Sequence, residues 1–202
     1  MNTRLSLYPS VSRRLLLGGA LALPWLAACT PKAQYKSIDI TGAHYAQDFE
    51  LPDTEGRVRR LADFKGRAVV LFFGYTQCPD VCPTTLQELT QARQMLGAKG
   101  EAVQGIFVTI DPERDTPEVL REYMKSFDAS YVALVPSAEQ LAVAAKHFKV
   151  YYKRVEGKTA TSYTMDHTAA SFVYDAQGRV RLYTRYGLGA QALADDLKLL
   201  LG

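Results

Sequence analysis

The chain has 202 residues, of which 48% are hydrophobic and 22% are charged. These proportions suit one globular domain with a sizeable core, and they exclude a largely disordered chain. Three of the 24 basic residues lie in the first 28 positions, which contain no acidic residue, so 21 basic residues face 21 acidic ones in the rest of the chain. Because no basic excess and no basic run interleaved with aromatic residues remains, we expect no binding to nucleic acid.

The N-terminal segment has the pattern of an export signal. It combines a basic start with the apolar stretch "LLLGGALALPWLAA", which is too short to span a membrane comfortably. The ending "LAAC" resembles a bacterial lipobox with Cys29 as the lipidated residue, and "SRRLLL" resembles a twin-arginine signal without the usual Phe and Lys. We therefore predict a lipoprotein-type signal peptide over residues 1–28, with an uncleaved N-terminal anchor as the alternative. Either would tether the domain to a membrane of the bacterial cell envelope, outside the cytoplasm and facing the periplasm.

Residues 29–45 are polar and weakly patterned, and we interpret them as a membrane tether. About fifteen flexible residues have a mean reach of roughly 20 Å, which would hold the domain near the membrane surface. The globular domain is expected over residues 46–202.

Strand and helix patterns alternate from Phe49 onward. Two short strands surround a turn at Asp53–Gly56, and the continuous apolar run Ala68–Gly74 has the length of a buried central strand. A helix is predicted over Pro83–Leu96. The later elements are a strand at 105–110, a helix at 115–127, a strand at 131–135, a helix at 137–148, a strand, turn and strand at 170–186, and a helix at 190–201. This order predicts an α/β, thioredoxin-like fold with a central mixed sheet flanked by helices and an N-terminal β-hairpin.

Cys78 and Cys82 follow the strand Ala68–Gly74, at the sheet edge where α/β folds place their sites. One pair of cysteines is too few for a disulfide framework, and the small loop between them would add little stability as a disulfide. At the first turn of a helix, both sulfurs would share one face, where free N–H groups and the helix dipole stabilise thiolates. A thiolate attacks disulfides and also binds metals, so the location leaves both roles open.

The spacing of the two cysteines and a distant histidine favour a metal site. Three residues separate the cysteines, which still permits a disulfide but also suits two sulfurs that converge on one ion. Soft thiolates favour Cu(I), with zinc also possible, and both metals require another donor. His167 is the expected third ligand, because in a thioredoxin-like topology the loop before the strand Ala170–Tyr174 faces the cysteine helix. We expect His44 to be exposed in the tether, His147 to be structural near a helix C-terminus, and Met165 to pack.

Residues near the predicted ligands have more ordinary interpretations. Asp166 is one candidate to orient the His167 ring as a hydrogen-bond acceptor. Tyr75 is expected to pack rather than to shield a metal. The segment "DPERDTPE" predicts a turn, with Asp115 or Thr116 capping the helix that follows.

Three motifs lie in order along the globular part of the chain: "FFGYTQCPDVCPTTLQEL", "VTIDPERDTPE" and "YTMDHTAASFVYDAQGRV". Together they resemble the Sco/SenC family of copper-binding, thioredoxin-like proteins. The resemblance implies that Cys78, Cys82 and His167 bind copper, as Cu(I), Cu(II) or both. It also implies delivery to the CuA site of cytochrome c oxidase subunit II, or to another copper-accepting protein, and a thiol reductant as a second partner. The usual family anchor is a transmembrane helix, from which the lipobox departs.

The leading hypothesis is therefore a copper metallochaperone rather than an enzyme. The alternative is an extracytoplasmic thiol–disulfide oxidoreductase, in which Cys78 attacks, Cys82 resolves and His167 is dispensable. A peroxidase is a weaker third hypothesis, because no evident arrangement of threonine and arginine around one cysteine would activate a peroxide.

Overall fold

The computed structural model describes residue 3 and residues 34–159 and 162–202. Contacts divide the chain into two units, Met1–Lys32 and Ala33–Gly202, and every element named below lies in the second. The predicted signal peptide and Cys29 lie outside the described residues. Within the described ranges, no helix is long and apolar enough to cross a membrane.

The described residues form ten strands and four α-helices in an alternating order. The strands are β1 (Ile38–Asp39), β2 (Glu50–Pro52), β3 (Val58–Arg60), β4 (Ala68–Gly74), β5 (Val103–Thr109), β6 (Val132–Leu134), β7 (Tyr152–Glu156), β8 (Tyr163–His167), β9 (Ala170–Tyr174) and β10 (Val180–Arg185). The helices are α1 (Val81–Met95), α2 (Pro117–Lys125), α3 (Ala138–Phe148) and α4 (Ala190–Leu201). Short 3₁₀ turns cover Leu61–Phe64 and Gly97–Ala102.

The central sheet has six strands in the order β1-β10-β9-β4-β5-β6. Strands β4, β5 and β6 are parallel, because helices α1 and α2 each return the chain to the starting edge before the next strand begins. Strand β9 pairs antiparallel with β4, and β10 pairs antiparallel with β9. A mixed sheet therefore forms as predicted, and the predicted N-terminal hairpin is confirmed as β2 paired with β3.

Helices cover both faces of this sheet. On one face, the Phe148 ring of α3 packs edge-on against Phe73 of β4 and Phe172 of β9, with centroid separations of 5.1 and 5.3 Å. On the other, Phe72 lies with Leu86 of α1 and Leu193 of α4 around a small cavity. Because both faces of β4 are covered, all seven of its residues are buried, as its continuous apolar run predicts.

The folded domain begins earlier than the sequence suggests. Strand β1 pairs with β10 at the edge of the sheet, and the N–H groups of Lys36 and Ser37 donate to the buried Asp196 carboxylate on α4 at 2.7 and 2.8 Å. The predicted tether over 29–45 is therefore wrong from about Lys36 onward. Backbone hydrogen bonds and one distant carboxylate order this segment, so its own apolar pattern gives no sign of a strand.

Strands β7 and β8 also differ from the prediction. They form a separate two-stranded hairpin in which Tyr152 pairs with His167, whereas the segment before β9 was expected to be a loop. Along β8, half-buried residues alternate with exposed ones, and most of β7 is exposed. An exposed hairpin needs little apolar sequence, which explains why composition did not reveal it.

Candidate metal centre

The two cysteines lie where the chain leaves β4 and enters α1. Cys78 is in the connecting loop, and Cys82 is the second residue of α1, after the N-cap Asp80. Gly74, the last residue of β4, permits this close approach: a Cβ atom there would lie 2.8 Å from the Cys82 Sγ. A glycine at this point lets the buried sulfur rest against the end of the strand.

His167 ends β8 and faces both sulfurs. Its Nε2 lies 3.6 Å from the Cys82 Sγ, and the potential ligand atoms of Cys78, Cys82 and His167 all lie within 4.8 Å of one another. The topology therefore brings together the three residues that the sequence singled out. A single ion between them needs only small adjustments to reach the usual metal–sulfur distance of about 2.3 Å.

The backbone beside His167 orients its imidazole. The Nδ1 atom lies 3.1 Å from the Thr168 carbonyl oxygen, which can only accept a hydrogen bond. A proton on Nδ1 leaves the Nε2 lone pair directed toward Cys82, as a ligand must be. Asp166, the candidate acceptor from the sequence, has an exposed side chain on a neighbouring position of the strand, so the Thr168 carbonyl fills the orienting role instead.

Two aromatic rings hold the imidazole from the side of the core. Tyr75 and Phe72 each lie edge-on to His167, with centroid separations of 5.9 Å. Tyr75 is 2% exposed, so it packs within the core as predicted. This packing restricts rotation of the His167 ring about its side-chain bonds.

The two thiols have opposite electrostatic environments. A hydrogen bond from the Cys82 thiol lowers the pKa of Cys78 far below its usual range, with help from the Cys82 N–H, which lies 3.4 Å from the Cys78 Sγ. Burial raises the pKa of the Cys82 thiol, which is 0% exposed. Both cysteines are free. In the absence of metal, the pair therefore consists of a thiolate at Cys78 and a thiol at Cys82.

A buried aspartate supports the loop that carries Cys78. Asp115 accepts hydrogen bonds from the Thr76 N–H at 3.1 Å, from the Thr76 hydroxyl at 2.5 Å and from the Thr109 hydroxyl at 2.6 Å. Burial raises the pKa of its carboxyl group. Thr116, not Asp115, caps α2 by accepting from the Val119 N–H. Sequence reasoning predicted a capping role for either residue and missed the role of Asp115 beneath the site.

The other two histidines stand apart from the site. His44 is exposed. His147 lies in the last turn of α3, and its Nε2 accepts the Gln47 N–H at 3.2 Å, in agreement with the structural role predicted for it. Met165 packs against the core, also as predicted.

Comparison with known proteins identifies the family. The family model for SCO1/SenC matches residues 39–202, from within β1 to the end of the chain. The chain belongs to the SCO1/SenC family. The protein SCO2 homolog, mitochondrial, of Bos taurus is 34% identical over 201 residues, which cover 94% of this chain and 76% of that protein. A SCO2-like protein of Rickettsia felis is 38% identical over 133 residues, which cover 65% of each.

Solved structures of SCO1/SenC proteins share the fold. The structure of Bradyrhizobium japonicum ScoI with copper bound is 36% identical, with a TM-score of 0.70 over 79% of this chain and 100% of that one. The solution structure of apo Sco1 protein from Thermus thermophilus is 38% identical, with a TM-score of 0.74 over 85% of this chain and 99% of that one. These similarities confirm the predicted thioredoxin-like fold and the predicted family.

Proposed function

We propose that this protein is a copper metallochaperone, which carries copper between Cys78, Cys82 and His167 and delivers it for the assembly of cytochrome c oxidase. The observation that carries the proposal is the convergence of two sulfurs and one imidazole nitrogen within 4.8 Å. Two soft thiolates and an imidazole suit Cu(I) in trigonal geometry, and Cu(II) with an added weak ligand. The copper-bound structure of the similar ScoI supports copper as the cargo.

Each residue of the site has a defined part in loading and release. Cys78 is 9% exposed and Cys82 is 0% exposed, so the Cys78 thiolate is the more accessible of the two sulfurs to an incoming ion. Cys82 gives up its proton when the ion binds, and the Nε2 atom of His167 completes the set. Three ligands leave one side of the ion open, where a ligand of an acceptor protein begins the exchange.

Membership of the family suggests the acceptor, the chemistry of the site suggests the second partner, and the N-terminal pattern suggests the location. The acceptor is the CuA site of cytochrome c oxidase subunit II or another copper-accepting protein. A thiol reductant is the second partner, because a disulfide between the two cysteines would offer no thiolate. Removal of residues 1–28 and lipidation of Cys29 would anchor the protein to a bacterial membrane, with the domain on the periplasmic side. The free tether would then end near Lys36, where the folded domain begins.

Copper reconstitution tests the ligand set. The reduced domain should bind one Cu(II) ion and show a thiolate-to-copper absorption band. Cys78→Ala should abolish the band, and His167→Ala should change it and weaken binding. Tight binding with an unchanged band in His167→Ala would remove the histidine from the site. In cells, loss of the protein should lower the copper content of the CuA site.

A thiol–disulfide oxidoreductase is the second candidate, and the asymmetry of the thiols favours it. The Cys78 thiolate would attack a substrate disulfide and form a mixed disulfide. Cys82, after losing its proton, would then displace the second substrate sulfur as a thiolate, leaving an oxidised Cys78–Cys82 pair and a reduced substrate. Efficient disulfide reduction by a wild-type domain that binds no copper would establish this function instead.

A further inference from the structure

One arginine joins three segments beside the metal centre. Arg114 lies in the loop between β5 and α2, and its side chain is 15% exposed. Its Nε donates to the Asp111 carboxylate at 2.5 Å. Its Nη1 donates to the Gln77 side-chain oxygen at 3.1 Å and to the Tyr163 carbonyl oxygen at 3.0 Å. One planar group therefore links the β5–α2 loop, the cysteine loop and the first residue of β8.

The same guanidinium stacks on the side chain of Tyr163. Its central carbon lies 3.4 Å from the ring centroid, and that of Arg154 lies 3.8 Å from it. The Tyr163 hydroxyl donates to Asp111 at 2.7 Å, on the carboxylate that also accepts from Arg114. Lysine offers neither the flat face nor the fork of donors that this arrangement uses.

Two of the residues that Arg114 contacts lie close in the chain to the metal ligands. Gln77 immediately precedes Cys78. Tyr163 and His167 lie four residues apart in β8, and the alternation of the strand puts both on the half-buried face toward the domain. The β7–β8 hairpin is a separate two-stranded sheet, and an isolated hairpin of this kind is marginally stable in water. The position of His167 therefore depends on contacts that hold the hairpin to the rest of the domain.

We propose that Arg114 is a positioning residue, which clamps the β7–β8 hairpin to the cysteine loop and so sets the distance from His167 to the two sulfurs. The proposal rests on the proposed function, because it concerns the same copper site. It assigns a role in metal binding to a residue that touches none of the three ligands.

The first test compares copper binding by Arg114→Gln and Arg114→Lys with a matched control. Arg121→Gln is that control, since Arg121 bonds Glu118 and the Thr54 carbonyl rather than the hairpin or the cysteine loop. Both Arg114 variants should lose about 10- to 100-fold in copper affinity, the usual effect of removing an orienting partner. Their Cu(II) absorption bands should shift toward that of His167→Ala, while the control keeps the wild-type band. Wild-type binding by Arg114→Lys would show that charge alone suffices and would overturn the clamp.

A double-mutant cycle separates positioning from general stability. In a His167→Ala background, Arg114→Gln should change copper affinity by less than about twofold, because the side chain that it positions is gone. An equal loss in both backgrounds would overturn the proposal, since Arg114 would then act on the thiols or on the whole fold.

Amide hydrogen exchange of the metal-free protein provides a readout that needs no copper. In Arg114→Gln, hairpin amides between Tyr152 and His167 should exchange faster, whereas those of α1 should keep their wild-type rates. Unchanged hairpin exchange would refute the clamp. A wild-type domain without a copper band would refute the proposed function, and exchange would still decide whether Arg114 holds the hairpin.

Discussion

Gly74→Ala is the substitution whose effect on the site can be worked out most directly from the structure. A Cβ at this position would lie 2.7 Å from a ring carbon of Phe72, 2.8 Å from the Cys82 Sγ and 2.9 Å from a ring carbon of Phe107. Ordinary van der Waals contact begins at 3.4 Å. If the other atoms stay in place, the Cys82 Sγ must therefore move by about 0.6 Å. Metal–ligand bonds stay within about 0.2 Å of their usual lengths, so a sulfur displaced by this amount must be brought back before it can bind the ion.

Two measurable losses follow from this crowding. Overpacking of a buried position typically costs about 1–3 kcal/mol, and in a domain of this size each kcal/mol lowers the melting temperature by roughly 2–4 °C. Displacement of Cys82 should also weaken copper binding by about tenfold or more. Thermal unfolding of the metal-free protein measures the first loss, and a competitive copper titration of the reduced protein measures the second.

Gly105→Ala is the matched control. A Cβ there would lie 2.7–2.9 Å from three ring carbons of Tyr131, which is comparable crowding in β5 without a sulfur atom. We expect a similar fall in melting temperature and wild-type copper affinity. If Gly74→Ala binds copper as tightly as wild type, or if Gly105→Ala weakens binding equally, the sulfur has not been displaced as the contacts require and the reasoning fails.

Three further predictions concern the thiolate, the N-terminal strand and the cysteine loop. Because the pKa of Cys78 is lowered, its alkylation by iodoacetamide in reduced, metal-free protein should change little between pH 8 and 6, whereas an ordinary thiol slows roughly 80-fold; a comparable slowing would contradict the thiolate. Asp196→Ala removes the acceptor of two backbone N–H groups and should cost at least about 2 kcal/mol in urea unfolding, against little change for the exposed neighbour Asp195→Ala. Equal losses would show that the buried carboxylate does not hold β1. Asp115→Asn replaces one acceptor oxygen by a donor facing Thr76 and should weaken copper binding in the same titration; unchanged affinity would show that this support is dispensable.

Sequence reasoning was most successful where the determining signal is local. The apolar run of β4 is continuous because both faces of that strand are buried. The capping box of α3, from Ser137 to Gln140, is likewise complete within four residues and is present as predicted. The cysteine pair and His167 are far apart in the chain, and their shared site could be predicted only from the sheet topology that places them together.

The features that escaped prediction depend on specific contacts between individual atoms, some of them far apart in the chain. Strand β1 is ordered by a carboxylate 160 residues away from Lys36. Gly74 is required by a sulfur of the following helix, and the His167 ring is oriented by a backbone carbonyl, which every residue type possesses. None of these contacts leaves a pattern in composition or periodicity, so only the folded structure reveals them.

The asymmetry of the two thiols connects the geometry of the site to reversible transfer. Cys78 is already ionised, whereas Cys82 holds a proton in a buried position, so loading of a copper ion on both sulfurs displaces that proton. Affinity should therefore rise with pH, by about tenfold per unit where one proton is exchanged. Release reverses the step: when an acceptor ligand takes the open side of the ion, Cys82 recovers its proton and burial again favours the neutral thiol. The burial that makes Cys82 a weaker nucleophile thus also lowers the free energy needed to release the ion. This property suits a carrier better than a permanent metal site.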